Sequence, residues 1–192
     1  MLALIFIIFP VGASNLHLKI TFGTESKDKT VPDDFYLYYS IDGSDFSEEN
    51  MVKGSLDEKK NEITFTLDSS YENKITLLRL DFPSQNDILK VESVSVSSGG
   101  LNKKIYTADE FFDKKNVPFD NEIGSITPVS TRGIAYIETK EGDPYVILSE
   151  AISTSIGRSF SHYYISRIVL VLLVVVSIVS YKVNVFGVKH EE

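Results

Sequence analysis

The feature that most constrains this chain lies near its end. From Ile168 to Tyr181, fourteen residues run without a charge, and Val, Ile and Leu dominate. At 1.5 Å per residue the run spans about 21 Å of helix, short of the roughly 30 Å hydrocarbon core of a bilayer. The flanks supply the rest: Tyr163, Tyr164 and Ile165 on one side, Val183, Val185 and Phe186 on the other. Arg167 and Lys182 then stand near the two ends, where long basic side chains snorkel to the headgroups. Tyr163, Tyr164 and Tyr181 suit the interfacial aromatic belts. The alternative is a buried core strand or helix, but such elements seldom run this long without a polar face. The pattern predicts a transmembrane helix over 163–186, with a cytoplasmic tail over 187–192.

A second apolar run opens the chain. Residues 1–13 read MLALIFIIFPVGA and end on small residues. The run reads as a secretion signal with Val11-Gly12-Ala13 as the cleavage region, or as a retained N-terminal anchor. No Lys or Arg precedes it, and thirteen residues hardly span a bilayer. Either way it implies export of the segment downstream. Basic residues do not orient the C-terminal span: Arg158 and Arg167 lie on one side, Lys182 and Lys189 on the other. The N-terminal segment therefore puts the intervening domain outside the cytoplasm, in a single-pass cell-membrane protein.

Between the two runs, Ser14 to His162 carry 25 Asp plus Glu against 16 Lys plus Arg, a net charge of −9. Nucleic-acid binding by phosphate contacts needs a basic footprint, so that partner class is excluded. The acidity reads as a solvated surface. The chain has no cysteine, which removes disulfides, thiolate metal sites and cysteine nucleophiles. It also lacks an Asn-x-Ser/Thr acceptor.

The exported segment is patterned for strands. Leu16, Leu18, Ile20 and Phe22 alternate with polar residues. Residues 23–34 are polar and read as a loop. Phe35, Leu37, Tyr39 and Ile41 share one face of a second strand, Tyr36, Tyr38 and Ser40 the other. Asp42-Gly43 marks a turn. Further strands are expected at 63–67, 75–82 and 89–97, the last with Val91 out of phase with Val94 and Val96, as a bulge would cause. Gly99-Gly100 breaks the pattern. Thr107 and Glu110 have capping-box spacing ahead of Phe111 and Phe112, which predicts one short helix over 108–115. Strands at 133–139 and 145–149 come next, and 151–162 reads as a Ser-rich linker. Short strands with turns between them indicate a mostly β, antiparallel β-sandwich over 14–150 with one short helix.

Catalytic sets are not evident. His17, His162 and His190 fall in a strand, at the membrane edge and in the tail, which disfavours a His-based metal site or triad. No phosphate loop, nucleophile elbow or dinucleotide fingerprint occurs. No cofactor is expected. Paired carboxylates for a glycosidase are the weakest option, against solvated surface acids. Asp42 and Asp45 are weak candidates for a hard cation, against plain turn chemistry. Tyr36 and Tyr38 are better candidates for a ligand surface, since adjacent tyrosines on a sheet stack on sugar rings and donate hydrogen bonds. A second packing layer, or cover by Phe111 and Phe112, is the competing reading. Arg79 and Asp81 share one strand face and make either a sugar-binding pair or a structural ion pair.

Several stretches together carry a resemblance: Tyr36 to Asn50, with its Tyr-rich strand, Asp42-Gly43 and Phe46-Ser47-Glu48; then Ile63 to Leu67; Leu78-Arg79-Leu80-Asp81-Phe82; and Ile88 to Val96. This order resembles the accessory β-sandwich ectodomains of bacterial membrane glycosyltransferases and other surface-polysaccharide proteins, over roughly residues 16–98. The resemblance implies a jelly-roll-like, carbohydrate-binding-like domain outside the membrane. The chain differs in lacking a catalytic glycosyltransferase domain and a multi-span region, which argues against enzymatic activity. The expected function is binding or positioning a glycan in surface-polysaccharide assembly, with the lipid bilayer and a glycan or membrane glycosyltransferase as partners. The alternative is an interaction subunit that docks on a membrane enzyme or transporter.

Overall fold

The computed structural model describes residues 14–23, 32, 34–71, 73–98, 102–160 and 171–181. The N-terminal run 1–13, most of the loop 23–34, Gly99-Gly100, and the tail 187–192 lie outside the described residues.

The strands form where branched and aromatic residues alternate with polar ones. β1 (Leu16–Phe22) buries Leu16, Leu18, Ile20 and Phe22 and turns His17, Lys19 and Thr21 outward. β2 (Tyr36–Ile41) buries Leu37 and Tyr39, as the alternation predicts. Ten more strands complete the set: β3 (Met51–Lys53), β4 (Ser55–Asp57), β5 (Glu62–Leu67), β6 (Ile75–Asp81), β7 (Asp87–Ser98), β8 (Asn102–Thr107), β9 (Phe119–Asn121), β10 (Ile123–Val129), β11 (Ile134–Thr139) and β12 (Tyr145–Ile147). They make two antiparallel sheets. One has seven strands in the order β10-β11-β7-β1-β5-β4, with β8 also on β7; the other has five, β3-β2-β6-β12-β9. The long β7 shares one edge between β11, along 87–91, and β8, along 93–98. Its register against β1 slips between Thr21 and Phe22, which places the bulge that Val91 signalled.

One apolar core fills the space between the sheets, as expected of a β-sandwich. Phe22 from the larger sheet meets Phe35 at 5.3 Å, and Phe35 meets Phe82 edge-on at 6.0 Å. Gly54 lets the chain cross from β3 to β4: a Cβ there would stand 2.5 Å from Ile63 Cγ2. The 41–44 turn has positive φ at Asp42 (51°) and Gly43 (81°), and Ser44 N–H donates to the Ile41 carbonyl at 2.9 Å. Two successive positive-φ residues closed by this bond are the mark of a type I′ turn.

Two expectations need correction. The predicted helix over 108–115 is shorter: α1 covers Ala108–Phe111 and then gives way to turns. Thr107 makes no side-chain cap; the Gly133 carbonyl takes the Ala108 N–H at 2.9 Å instead. The linker read over 151–162 is in its first part a second helix, α2 (Glu150–Gly157), continued by a 3-10 turn over Arg158–Phe160. Ser149 caps it by accepting from Ile152 N–H, and Ser153 and Ile156 are fully buried against the sandwich. A Ser-rich sequence reads as flexible, yet Ile152 and Ile156 sit four apart on one helix face and seat it.

Residues 171–181 are helical. At about 16 Å this segment is half a bilayer core. Among the described residues no helix is long and apolar enough to cross a membrane. The remainder of the predicted span 163–186 lies outside the described residues.

Candidate functional site

Cross-strand register places the candidate residues together. On the outer face of the five-stranded sheet, Tyr38 pairs with Arg79 and Tyr36 with Asp81. β12 continues both rows: Tyr145 pairs with Asp81 and Ile147 with Arg79. β9 adds Asn121 opposite Tyr145 and Phe119 opposite Ile147. Alternation explains the outward aromatics, because Leu37, Leu80 and Val146 between them are buried in the core.

Arg79 is the hub. Its Nε donates to Asp81 Oδ1 at 2.7 Å and its Nη2 to Asp81 Oδ2 at 2.6 Å. Nη2 also reaches Asp143 at 3.1 Å. The guanidinium carbon lies 3.7 Å from the Tyr145 ring centroid and 5.1 Å from that of Tyr38. Phe119, half exposed, stacks on Tyr145 at 6.0 Å and 28°. The result is a continuous ladder of Tyr38, Arg79, Tyr145 and Phe119. Tyr36 stands beside it rather than in it, with Lys53 Nζ 5.8 Å from its ring.

Electrostatics follow from partial burial. Burial pushes the Asp81 carboxyl above its ordinary range, and this outweighs the pull of Arg79. Burial lowers Arg79, but its hydrogen bond and charge pairing with Asp81 more than compensate, and its pKa is raised overall. Burial and the Asp81 carboxylate raise the Tyr38 phenol. The guanidinium is held by two carboxylates and two rings, a rigid arrangement that fixes the orientation of both tyrosines.

The four residues expected to bind ligand therefore converge, but with Tyr38 and Arg79 central and Tyr36 peripheral. Tyr145, Asp143 and Phe119 complete the site and escaped the sequence reading. Tyr145-Val146-Ile147 carried the signal, since a buried Val146 turns Tyr145 outward. Phe111 and Phe112 do not cover this face. They pack with Tyr106 in the core beside the other sheet. Asp42 and Asp45 sit exposed on the 41–47 turn, and among the described residues no group of three or more His, Asp or Glu side chains gathers to hold a metal. A cleft of about 270 Å³ lies elsewhere, beside Phe112, Val117, Ile123 and Pro128, and an open depression of about 580 Å³ lies at Asn86, Ile88 and Lys140.

Comparison with protein-family models, with curated proteins and with solved structures finds no match to this chain.

Proposed function

We propose that this chain is a membrane-anchored, non-catalytic β-sandwich that binds or positions a glycan outside the cytoplasm, as an accessory in surface-polysaccharide assembly. The observation that carries the reading is the Tyr38–Arg79–Tyr145–Phe119 ladder. Aromatic faces with polar edges stack on sugar rings, and the exposed Asp143 carboxylate accepts from hydroxyls. The jelly-roll assignment belongs to the same proposal.

The membrane part rests on the C-terminal run. The helix over 171–181 is apolar on every side, with Leu172, Leu173, Val176 and Ile178 all more than half exposed. A helix apolar all round requires an apolar surround. Ser177 donates its hydroxyl to the Leu173 carbonyl at 2.8 Å, the way a hydroxyl is satisfied in lipid.

Titration of the detergent-solubilised chain with cell-surface oligosaccharides tests the glycan reading. Binding that drops at least tenfold in Tyr145→Ala and Phe119→Ala supports it; no binding to any envelope polysaccharide overturns it. The Tyr38–Arg79–Tyr145–Phe119 set also favours a second reading, docking on a membrane enzyme or transporter, because aromatic residues and Arg are enriched at protein interfaces. A partner that co-purifies and is lost on those substitutions, without sugar binding, would establish that reading.

A further inference from the structure

The two ends of the sandwich that lead into the apolar runs meet at one pole. At the N-terminal end, Ser98 Oγ donates to the Ser14 carbonyl at 3.0 Å, and Leu16 pairs with Leu67 and Ser98. At the C-terminal end, α2 runs beside β6 until Asn73 N–H reaches the Gly157 carbonyl at 3.4 Å. Lys104 Nζ donates to Ser155 Oγ at 3.1 Å, and Lys104 is the register partner of Val96, near the same end of β7. Ser14, the 68–74 loop, Ser98 and Gly157 thus share one end of the sandwich. The turn after Asp57 lies at the other, because Asp57 and Glu62 are paired there opposite Thr21.

The tethers at this pole are short. Ala13 closes the first apolar run immediately before Ser14, and three residue steps separate Phe160 from Tyr163. Three steps of extended chain reach at most about 11 Å. Exposed Lys74, Lys104 and Arg158 stand at this end beside exposed Asp42, Asp45 and Asp68, so the short tether rather than charge brings it to the headgroups.

We infer that this pole rests on the headgroup layer of the bilayer, so that the ladder face stands upright on the flank of the domain. The inference depends on the membrane reading proposed for the C-terminal run. Arg79 lies four residues along β6 from Ile75, so the face is about 13 Å above the pole by strand rise. A glycan then meets it from the side, parallel to the membrane plane.

The chain has no cysteine, so single-cysteine labelling is clean. The full chain is reconstituted in phosphatidylethanolamine–phosphatidylglycerol vesicles with a headgroup-borne nitroxide. Fluorophores are attached through Ser70→Cys or Lys74→Cys at the pole, and through Lys59→Cys at the opposite end. Quenching at 70 and 74 at least threefold stronger than at 59 is expected. Equal or reversed quenching in a chain that floats with the vesicles overturns the orientation alone. A chain stripped from the vesicles by alkaline washing overturns the membrane reading, and the orientation with it.

Discussion

Asp81 and Arg79 are unequal partners. Arg79 has a second carboxylate in Asp143, whereas the more buried Asp81 is paired through Arg79. Removing the guanidinium leaves a buried carboxylate beside another carboxylate; removing the Asp81 charge leaves Arg79 still paired. Arg79→Ala should therefore cost about 3 kcal/mol at pH 7, and Asp81→Asn much less. Denaturant unfolding of the two variants measures the asymmetry. The folded pKa of Asp81 is raised, so its titration contributes stability below the unfolded value and loses it as pH rises through the folded one. The cost of Arg79→Ala should accordingly shrink at acid pH, where Asp81 holds a proton; a cost that grows on acidification would contradict the burial argument. Arg79 and Asp81 on one strand face were legible from sequence. That Arg79 would be clamped between Tyr38 and Tyr145 was not, because Asp143, just ahead of β12, lies 64 residues from Arg79 and only the sheet order brings them together.

At the scale of the element, α2 shows how a helix replaces a strand. β12 pairs with β6 only along 79–81. Beyond it the Leu148 N–H still donates to the Leu78 carbonyl at 2.9 Å, and then Ser153 Oγ accepts the Leu78 N–H at 3.1 Å. The serine hydroxyl does what the next strand residue would have done. Ser153→Ala leaves that buried N–H unpaired and should cost about 1–3 kcal/mol, read as a lowered Tm. Ser149→Ala, which removes the cap, should cost about 1 kcal/mol. A neutral Ser153→Ala would mean that the helix is not seated on β6. Strong alternation made β1, β2, β5, β6 and β11 readable. β8 and β10 were hidden, one by Lys103-Lys104 and the other by Gly124 and Pro128, residues that strands disfavour unless an edge or a neighbour accepts them. β10 is such an edge strand.

For the whole molecule, the crossing at Gly54 ties the two sheets. Gly54→Ala drives a methyl into Ile63 and Phe65 and should cost about 1–3 kcal/mol by overpacking. Acid should also loosen the domain. The hydrogen bond from Lys60 holds Asp57 below its usual range, and that from Ser70 N–H does the same for Asp68. Lowered carboxyls contribute stability above their unfolded value and lose it as pH falls through the folded one. In Asp81→Asn, where the opposing titration of Asp81 is gone, a thermal-melting series should therefore show Tm falling below about pH 4, the unfolded carboxylate range.

The period of each strong strand, and hence which residues face the core, is written in the local sequence, because alternation is a property of the pleated backbone. The two apolar runs and the tyrosine face are marked there as well. The company that face keeps is a tertiary matter: Tyr145, Asp143 and Phe119 arrive through strand order, which no local pattern encodes. So is the packing of a Ser-rich stretch into a helix, since burial of Ile156 against the sandwich outweighs weak intrinsic propensity. The meeting of Ser14 and Gly157 at one pole is tertiary too, a consequence of antiparallel register summed over both sheets.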